Sequence, residues 1–119
     1  MAVSKVHQRE IVEVSFNFLN GKRLVHPALV VSVDQLQEDE DGMFYAVLIS
    51  SKNIHPEYTI EINREDLIGG DMDKKSYFVT HILTYFSVND IISRRGVSVK
   101  KKKFDKVVNT IIDNIFGPE

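Results

Sequence analysis

Four histidines, at positions 7, 26, 55 and 81, are the side chains of this chain that ordinarily change charge near neutral pH, and the absence of cysteine leaves no thiolate beside them. An imidazole in that range can take a proton in one step and return it in the next. His26 stands immediately before Pro27 and the apolar run Ala28-Leu29-Val30-Val31. That run is too short for an independent helix and rich in β-branched residues, so Val25 to about Val33 reads as a buried strand. Pro27 fits its first residue, where no ladder donor is needed. His26 thus falls at a loop-to-strand junction, where a rigid element presents a side chain to a cleft. His81 alternates with apolar neighbours and reads as semi-buried. His55, beside Pro56, belongs to a turn, and His7 to a tail. A metal site built from His26, His55 and His81 would need all three to converge, and no His-x-x-x-His or carboxylate spacing argues for it. No metal or other cofactor is expected.

The remaining polar groups are unevenly placed. Acids gather in Glu38-Asp39-Glu40-Asp41, which reads as a solvated loop, and bases in Arg94-Arg95 and Lys100 to Lys103. The net charge of −2 does not indicate a generic basic nucleic-acid binder, yet a local patch remains open. The hydrophobic fraction of 43% is that of an ordinary globular chain, and 119 residues suffice for one core. No apolar run reaches membrane-spanning length and no apolar leader opens the chain, so the expectation is a cytoplasmic protein without a membrane partner.

The elements that must position these groups follow from periodicity. Residues 1–8 read as a loose tail. Val12, Val14, Phe16 and Phe18 alternate with polar residues, giving a strand with one face in the core. Asn20-Gly21 marks a turn within a loop from Asn17 to Val25 that carries Lys22 and Arg23. After the His26 strand, Gln35 to Gly42 reads as loop and Phe44 to Ile49 as a third strand ending at Ser50-Ser51. Tyr58 to Ile62 alternates again, Asn63 to Asp71 is a short helical or irregular piece, and Tyr77 to Phe86 is a strand rich in aromatic and β-branched residues. Ser87-Val88-Asn89-Asp90 offers a capping box, predicting a short helix to about Arg94 stopped by Gly96. Phe104, Val107, Val108, Ile111, Ile112 and Ile115 recur at helical spacing, predicting an amphipathic helix over 103–116 ended by Gly117-Pro118. Its apolar stripe is expected to pack on the sheet, or else on a second copy of the chain. The lysines at its start sit where the helix dipole disfavours cations, a mild hint of an anionic partner. About five strands and then a helix suggest a strongly curved antiparallel sheet or barrel.

Four stretches together resemble the PemK/MazF-type toxins of bacterial toxin–antitoxin systems. These are Arg9-Glu10-Ile11-Val12-Glu13-Val14-Ser15-Phe16, His26-Pro27-Ala28-Leu29-Val30-Val31-Ser32, Leu48-Ile49-Ser50-Ser51 and Ser76-Tyr77-Phe78-Val79-Thr80-His81-Ile82-Leu83-Thr84. The resemblance covers about residues 8 to 116 and implies a mainly β fold. That fold is an SH3-like small barrel of about five to seven mostly antiparallel strands with a C-terminal helix, forming one domain over 9–117. It further implies a homodimer and a metal-independent endoribonuclease that directs a 2′-hydroxyl of single-stranded RNA at the adjacent phosphate. It also implies an acidic antitoxin peptide that competes for the groove.

On the positions that match, the resemblance implies catalytic roles for His26 and Ser50, with His81 beside them. RNA contacts would come from Lys22, Arg23, Ser51 and Lys52. His26 stands where the family has an arginine, Ser50 where it has a threonine, and Thr80-His81 where it has aspartate and glutamine. Serine keeps the hydroxyl. Histidine loses the permanent charge and the fork of a guanidinium, since a free imidazole titrates near about 6.5, but gains the capacity for general acid–base work. If His26 and His81 face one cleft, one can act as base and the other as acid. Arg23, three residues before His26, could also swing in to supply the missing positive charge. The competing reading is a non-catalytic module whose groove binds RNA, DNA or an acidic peptide.

Overall fold

The computed structural model describes residues 5–17 and 20–119, so Phe18 and the first residues of the expected tail lie outside the described residues. Seven strands form one antiparallel sheet: β1 (Glu10–Asn17), β2 (Arg23–Val30), β3 (Met43–Ser50), β4 (Thr59–Ile62), β5 (Leu67–Ile68), β6 (Ser76–Ser87) and β7 (Ile91–Val99). Their order across the sheet is β4-β6-β3-β2-β1-β7-β5. Two helices complete it, α1 (Asp34–Asp39) and α2 (Lys101–Ile111), the latter running on into a wider π turn over Ile112–Phe116. The mainly β architecture with a C-terminal helix is the one expected.

Stretches of the three central strands, around Ile11-Val12, Ala28 to Val30 and Ala46 to Ile49, are buried on both faces. Ile11, Leu29, Val47 and Ile49 join Phe78, Val97 and Val99 in a core beneath α2, which contributes Phe104, Val107 and Ile111. Their neighbours in sequence, Val12, Ala28, Val30, Ala46 and Leu48, face a second core with Val6, Phe44 and Phe86. Successive side chains of a strand point to opposite faces, so a continuous apolar run is what burial on both sides requires. Val108 packs against the first core, whereas Ile112 and Ile115 stay exposed.

Several expectations are corrected. From Lys5 onward the tail is tied down. Val6 is fully buried, its N–H donates to Gln37 Oε1 at 3.1 Å, and Gln37 Nε2 donates to the Val6 carbonyl at 2.7 Å. Most of α1, from Gln35 to Asp39, falls in the stretch Gln35 to Gly42 expected as loop. Its Asp34 accepts from the Gln8 N–H at 2.8 Å and meets His7 Nδ1 at 2.8 Å; these contacts, the Gln8 N–H first, hold its carboxyl below the usual range. The His26 strand begins earlier than expected, at Arg23, and ends at Val30. Pro27 is therefore internal to β2, but β2 pairs with β3 only from Ala28 to Val30, so proline sits just before that ladder starts. The capping box at Ser87 and Asp90 forms, yet caps only the single 3₁₀ turn Val88–Asp90; the chain then enters β7 at Ile91 instead of continuing as a helix to Arg94.

Helix α2 bridges the two ends of the sheet. At its start, Lys103 Nζ lies 3.0 Å from Asp66 Oδ2 and the Lys100 N–H donates to the Asp66 carbonyl at 2.8 Å. At its far end, Asn114 Nδ2 donates to Thr80 Oγ1 on β6 at 2.8 Å. Lys101 pairs with Asp105 one turn on. Two of the four lysines thus meet intramolecular carboxylates, which offsets the cost of cations at a helix N-terminus. Burial acts to raise the Asp66 carboxyl, but the Asn63 N–H and the Lys103 ammonium outweigh it and hold it low.

A carboxyl with a depressed value stabilises the fold fully above the ordinary aspartate value of about 3.9 and loses that contribution as pH falls through the folded value. Asp66→Ala is expected to destabilise the protein by about 2–3 kcal/mol in urea melts at neutral pH, since it unpairs Lys103 and the Asn63 N–H together. The gap from the parent closes in acid; a constant gap across the acid range would contradict this role for the carboxylate.

Candidate active groove

His26, on β2 opposite Val14 of β1, and Ser50, at the last rung of β3 opposite Tyr77, lie where the central strands emerge from double burial. Two cavities meet there, of about 450 Å³ and about 320 Å³. Both are lined by His26, Ile49, Ser50 and Lys52, so they form two arms of one groove.

The first arm is the more polar of the two. Glu13, Lys52, Asp73, Lys74 and Arg95 supply charge, with Ser51 and Ser76 alongside. The second arm is imidazole-lined and apolar: His55 and His81 stand among Leu48, Ile54, Val79 and Ile82. A bend in β6 delivers His81. The β3–β6 register jumps from Val47↔Leu83 to Ile49↔Phe78, so Leu48 alone faces residues 79–82. Such a bulge re-aims side chains. The His81 ring lies over Tyr58, centroids 4.5 Å apart, with the His55 ring edge-on at 6.1 Å. Beside it Thr80 is fully buried; its hydroxyl donates to the Tyr58 carbonyl and accepts from Asn114. Among the described residues, His81 Nδ1 is the buried side-chain nitrogen or oxygen that has no hydrogen-bond partner.

The Ser50 hydroxyl accepts the Lys52 N–H at 3.0 Å, which fixes the turn leaving β3. A hydroxyl has one donor and two acceptor sites, so its O–H is still able to donate. His26, Ser50 and His81, the three expected catalytic residues, therefore converge on the second arm, and Ser51 and Lys52 join the groove. Lys22 and Arg23 do not line either arm. Arg23 lies three residues from His26 on a strand, hence on the opposite face, and its Nε donates to Ser15 Oγ. Its guanidinium is thus turned toward β1 rather than toward either arm. His26, His55 and His81 share the second arm, but among the described residues no three His, Cys, Asp or Glu side chains are grouped to hold a metal ion.

Arg95, which sequence reasoning missed, lines the first arm together with His26, Ser50, Lys52 and Lys74. The β1–β7 register jumps from Ile11↔Val97 to Val12↔Arg94, leaving Arg95 and Gly96 as a bulge in β7. Gly96 has φ +71°, a conformation that side chains resist. Arg95 Nε donates to Glu13 Oε1 at 2.7 Å and Nη2 to Asp73 Oδ2 at 3.0 Å. The Glu13 carboxylate, its strongest partner, pushes the guanidinium still further above its usual range. An isolated glycine in a strand marks a bulge, and that was the available signal; with Arg94 and Arg95 before it, Gly96 read instead as the end of a helix.

Residues 7–115 match the family described as PemK-like, MazF-like toxin of type II toxin–antitoxin system. Solved structures superpose over nearly the whole chain. MazF from Deinococcus radiodurans aligns with a TM-score of 0.74 at 10% identity, covering 93% of this chain and 96% of that one. An endoribonuclease in complex with its cognate antitoxin from a mycobacterial species aligns at 0.72 and 10% identity, covering 96% and 98%. The Mycobacterium tuberculosis toxin MazF-mt6 aligns at 0.67 and 11% identity, covering 93% and 99%. No curated protein sequence matches the chain significantly. Among the described residues no helix is long and apolar enough to cross a membrane.

His81→Phe keeps a ring over Tyr58 and removes a buried nitrogen without a partner. Its stability is expected to lie within about 1 kcal/mol of the parent, or above it, in thermal or urea melts. A loss beyond about 3 kcal/mol would mean that the imidazole makes a structural hydrogen bond after all.

Proposed function

The chain belongs to the PemK-like, MazF-like toxin family of type II toxin–antitoxin systems, and from that premise we propose that it is a metal-independent endoribonuclease acting on single-stranded RNA. The observation that carries this reading is the two-armed groove with His26 and Ser50 at its junction and His81 in one arm. A groove open on both sides of the reacting centre suits a strand that continues in both directions, and single strands are the RNA form whose bases can be splayed into such arms.

The substrate brings its own nucleophile. A bond forms between the 2′-oxygen and phosphorus as the bond from phosphorus to the 5′-oxygen breaks, leaving a cyclic phosphate and a 5′-hydroxyl. The protein has to remove one proton, deliver another and stabilise the oxygens on which charge builds. His26 and His81 divide the two proton transfers, neutral imidazole taking the 2′ proton and imidazolium protonating the 5′-oxygen. The Ser50 hydroxyl donates to a phosphate oxygen. Ser51 and Lys52 hold the backbone leaving the junction, and Lys22 and Arg23, outside the groove, contact a flanking phosphate of a longer strand. The same groove accepts an acidic antitoxin peptide, a carboxylate standing in for a phosphate, and the active protein is a cytoplasmic homodimer.

A long single-stranded RNA incubated with the protein and a chelator is expected to yield discrete fragments ending in cyclic phosphate. His26→Ala and Ser50→Ala lower the rate by about 10²- to 10⁴-fold, the range for loss of a proton-transfer or charge-stabilising group. The parent shows a bell-shaped dependence of rate on pH, and His81→Phe flattens one limb. Intact RNA with folded parent protein would replace this reading with a groove that binds RNA, DNA or an acidic peptide without cutting.

A further inference from the structure

We propose that Arg95 grips a phosphodiester of the bound strand in the polar arm of the groove, with Asp73 as the carboxylate that the phosphate displaces; this deepens the RNA-cleaving reading and rests on it. Phosphate chemistry at the junction of His26 and Ser50 calls for a permanent positive charge, which an imidazole does not provide. Of the cations lining that arm, Lys52 and Lys74 are exposed on flexible stems, whereas Arg95 is held in place with its side chain only 22% exposed. The bulge in β7 has no partner for it across the ladder and leaves its side chain lining the groove.

The arrangement of partners around the guanidinium shows which edge is on offer. Nε is taken by Glu13, whose side chain is 18% exposed, and this bond fixes the plane of the fork. The other edge meets weaker company. Nη1 lies 3.5 Å from the Met72 thioether, a poor acceptor, and Nη2 meets Asp73, whose side chain is 85% exposed. An exposed ion pair is weak and easily exchanged. A phosphodiester presents two oxygens that match the paired N–H groups of that edge and exceeds a thioether and a single carboxylate oxygen as a partner. Glu13 is thus a positioning residue, and Asp73 occupies the phosphate's place until the strand arrives.

The test uses the full chain and a 2′-O-methyl single-stranded RNA oligonucleotide, which lacks the attacking hydroxyl, with binding followed by fluorescence anisotropy over a salt series. Arg95→Gln is expected to weaken binding about tenfold and to lower the slope of log affinity against log salt by about 0.7 to 1. Arg95→Lys keeps the slope and loses several-fold in affinity, because the charge remains and the fork does not. Asp73→Asn leaves the Glu13–Arg95 pair intact and tightens binding about threefold, so it decides the matter if Arg95→Gln proves unfolded in a thermal melt. Arg64→Gln, an exposed arginine outside the groove, removes the same formal charge with a smaller effect. A parent that does not bind, an Arg95→Gln slope equal to that of the parent or of Arg64→Gln, or unchanged or weaker binding in Asp73→Asn overturns the inference. Arg95-dependent binding by a protein that leaves ordinary RNA intact preserves the inference and removes the cleavage reading. Cleavage with kcat and KM unchanged in Arg95→Gln does the reverse.

Discussion

Burial of the central strands on both faces is the constraint on which the rest of this structure depends. Ile11 and Val12, Leu29 and Val30, and Val47 and Leu48 each send consecutive side chains into different cores. Nothing polar can be placed along those stretches without a partner. Polar chemistry is therefore confined to strand ends and to places where the ladder is broken. His26 comes just before β2 meets β3, Ser50 ends β3, His81 lies in the bend of β6, and Arg95 lies in the bulge of β7. The groove is lined where these strand ends and breaks in the ladder come together.

The same constraint decides how much was legible in the sequence. Continuous apolar runs mark β2 and β3, and alternation marks β1 and β4, because burial writes itself into residue type at a fixed period. The convergence of His26 and Ser50 came from strand ends bearing family-like motifs. The features that escaped are held by hydrogen bonds rather than by apolar pattern. Val6 is a single apolar residue, and its pairing with Gln37 joins two segments that each look unstructured alone. Helix α1 has little apolar surface to announce it. In β7, the sequence Ile91-Ile92-Ser93-Arg94-Arg95-Gly96-Val97-Ser98-Val99 does not alternate, because register shifts reset the side-chain period within the strand. A local signal, the capping box at Ser87, was real but governed one turn only. Arg95 was lost with the strand that carries it.

Charges placed against local preference have partners elsewhere in the chain. Lysines at the start of α2 oppose the helix dipole, and Asp66 and Asp105 answer two of them. Glu10 is largely buried, and Arg94 meets it with two nitrogens, at 2.6 and 2.9 Å. Arg94 and Arg95, adjacent in β7, thus reach two glutamates of β1, one pair bracing the sheet and the other shaping the groove. Neighbouring residues of like charge acquire different tasks because a bulge turns one of them aside.

The pairing of β1 with β7 also bears on when the molecule becomes whole. Glu10 and Arg94 lie 84 residues apart in the chain, and Glu13 and Arg95 lie 82 apart. Closing such long loops comes late and slowly in folding, after local hairpins such as β1–β2 have formed. A nascent chain emerging from the ribosome can carry His26, Ser50 and even His81 and still lack the polar wall of the groove. That wall waits for β7, and the strap across the sheet waits for α2 behind it. The charged arm of the groove is completed only once synthesis has passed the last strand, so a partly made chain can hold the arm lined by His26, Ser50 and His81 and still lack Arg95 beside it.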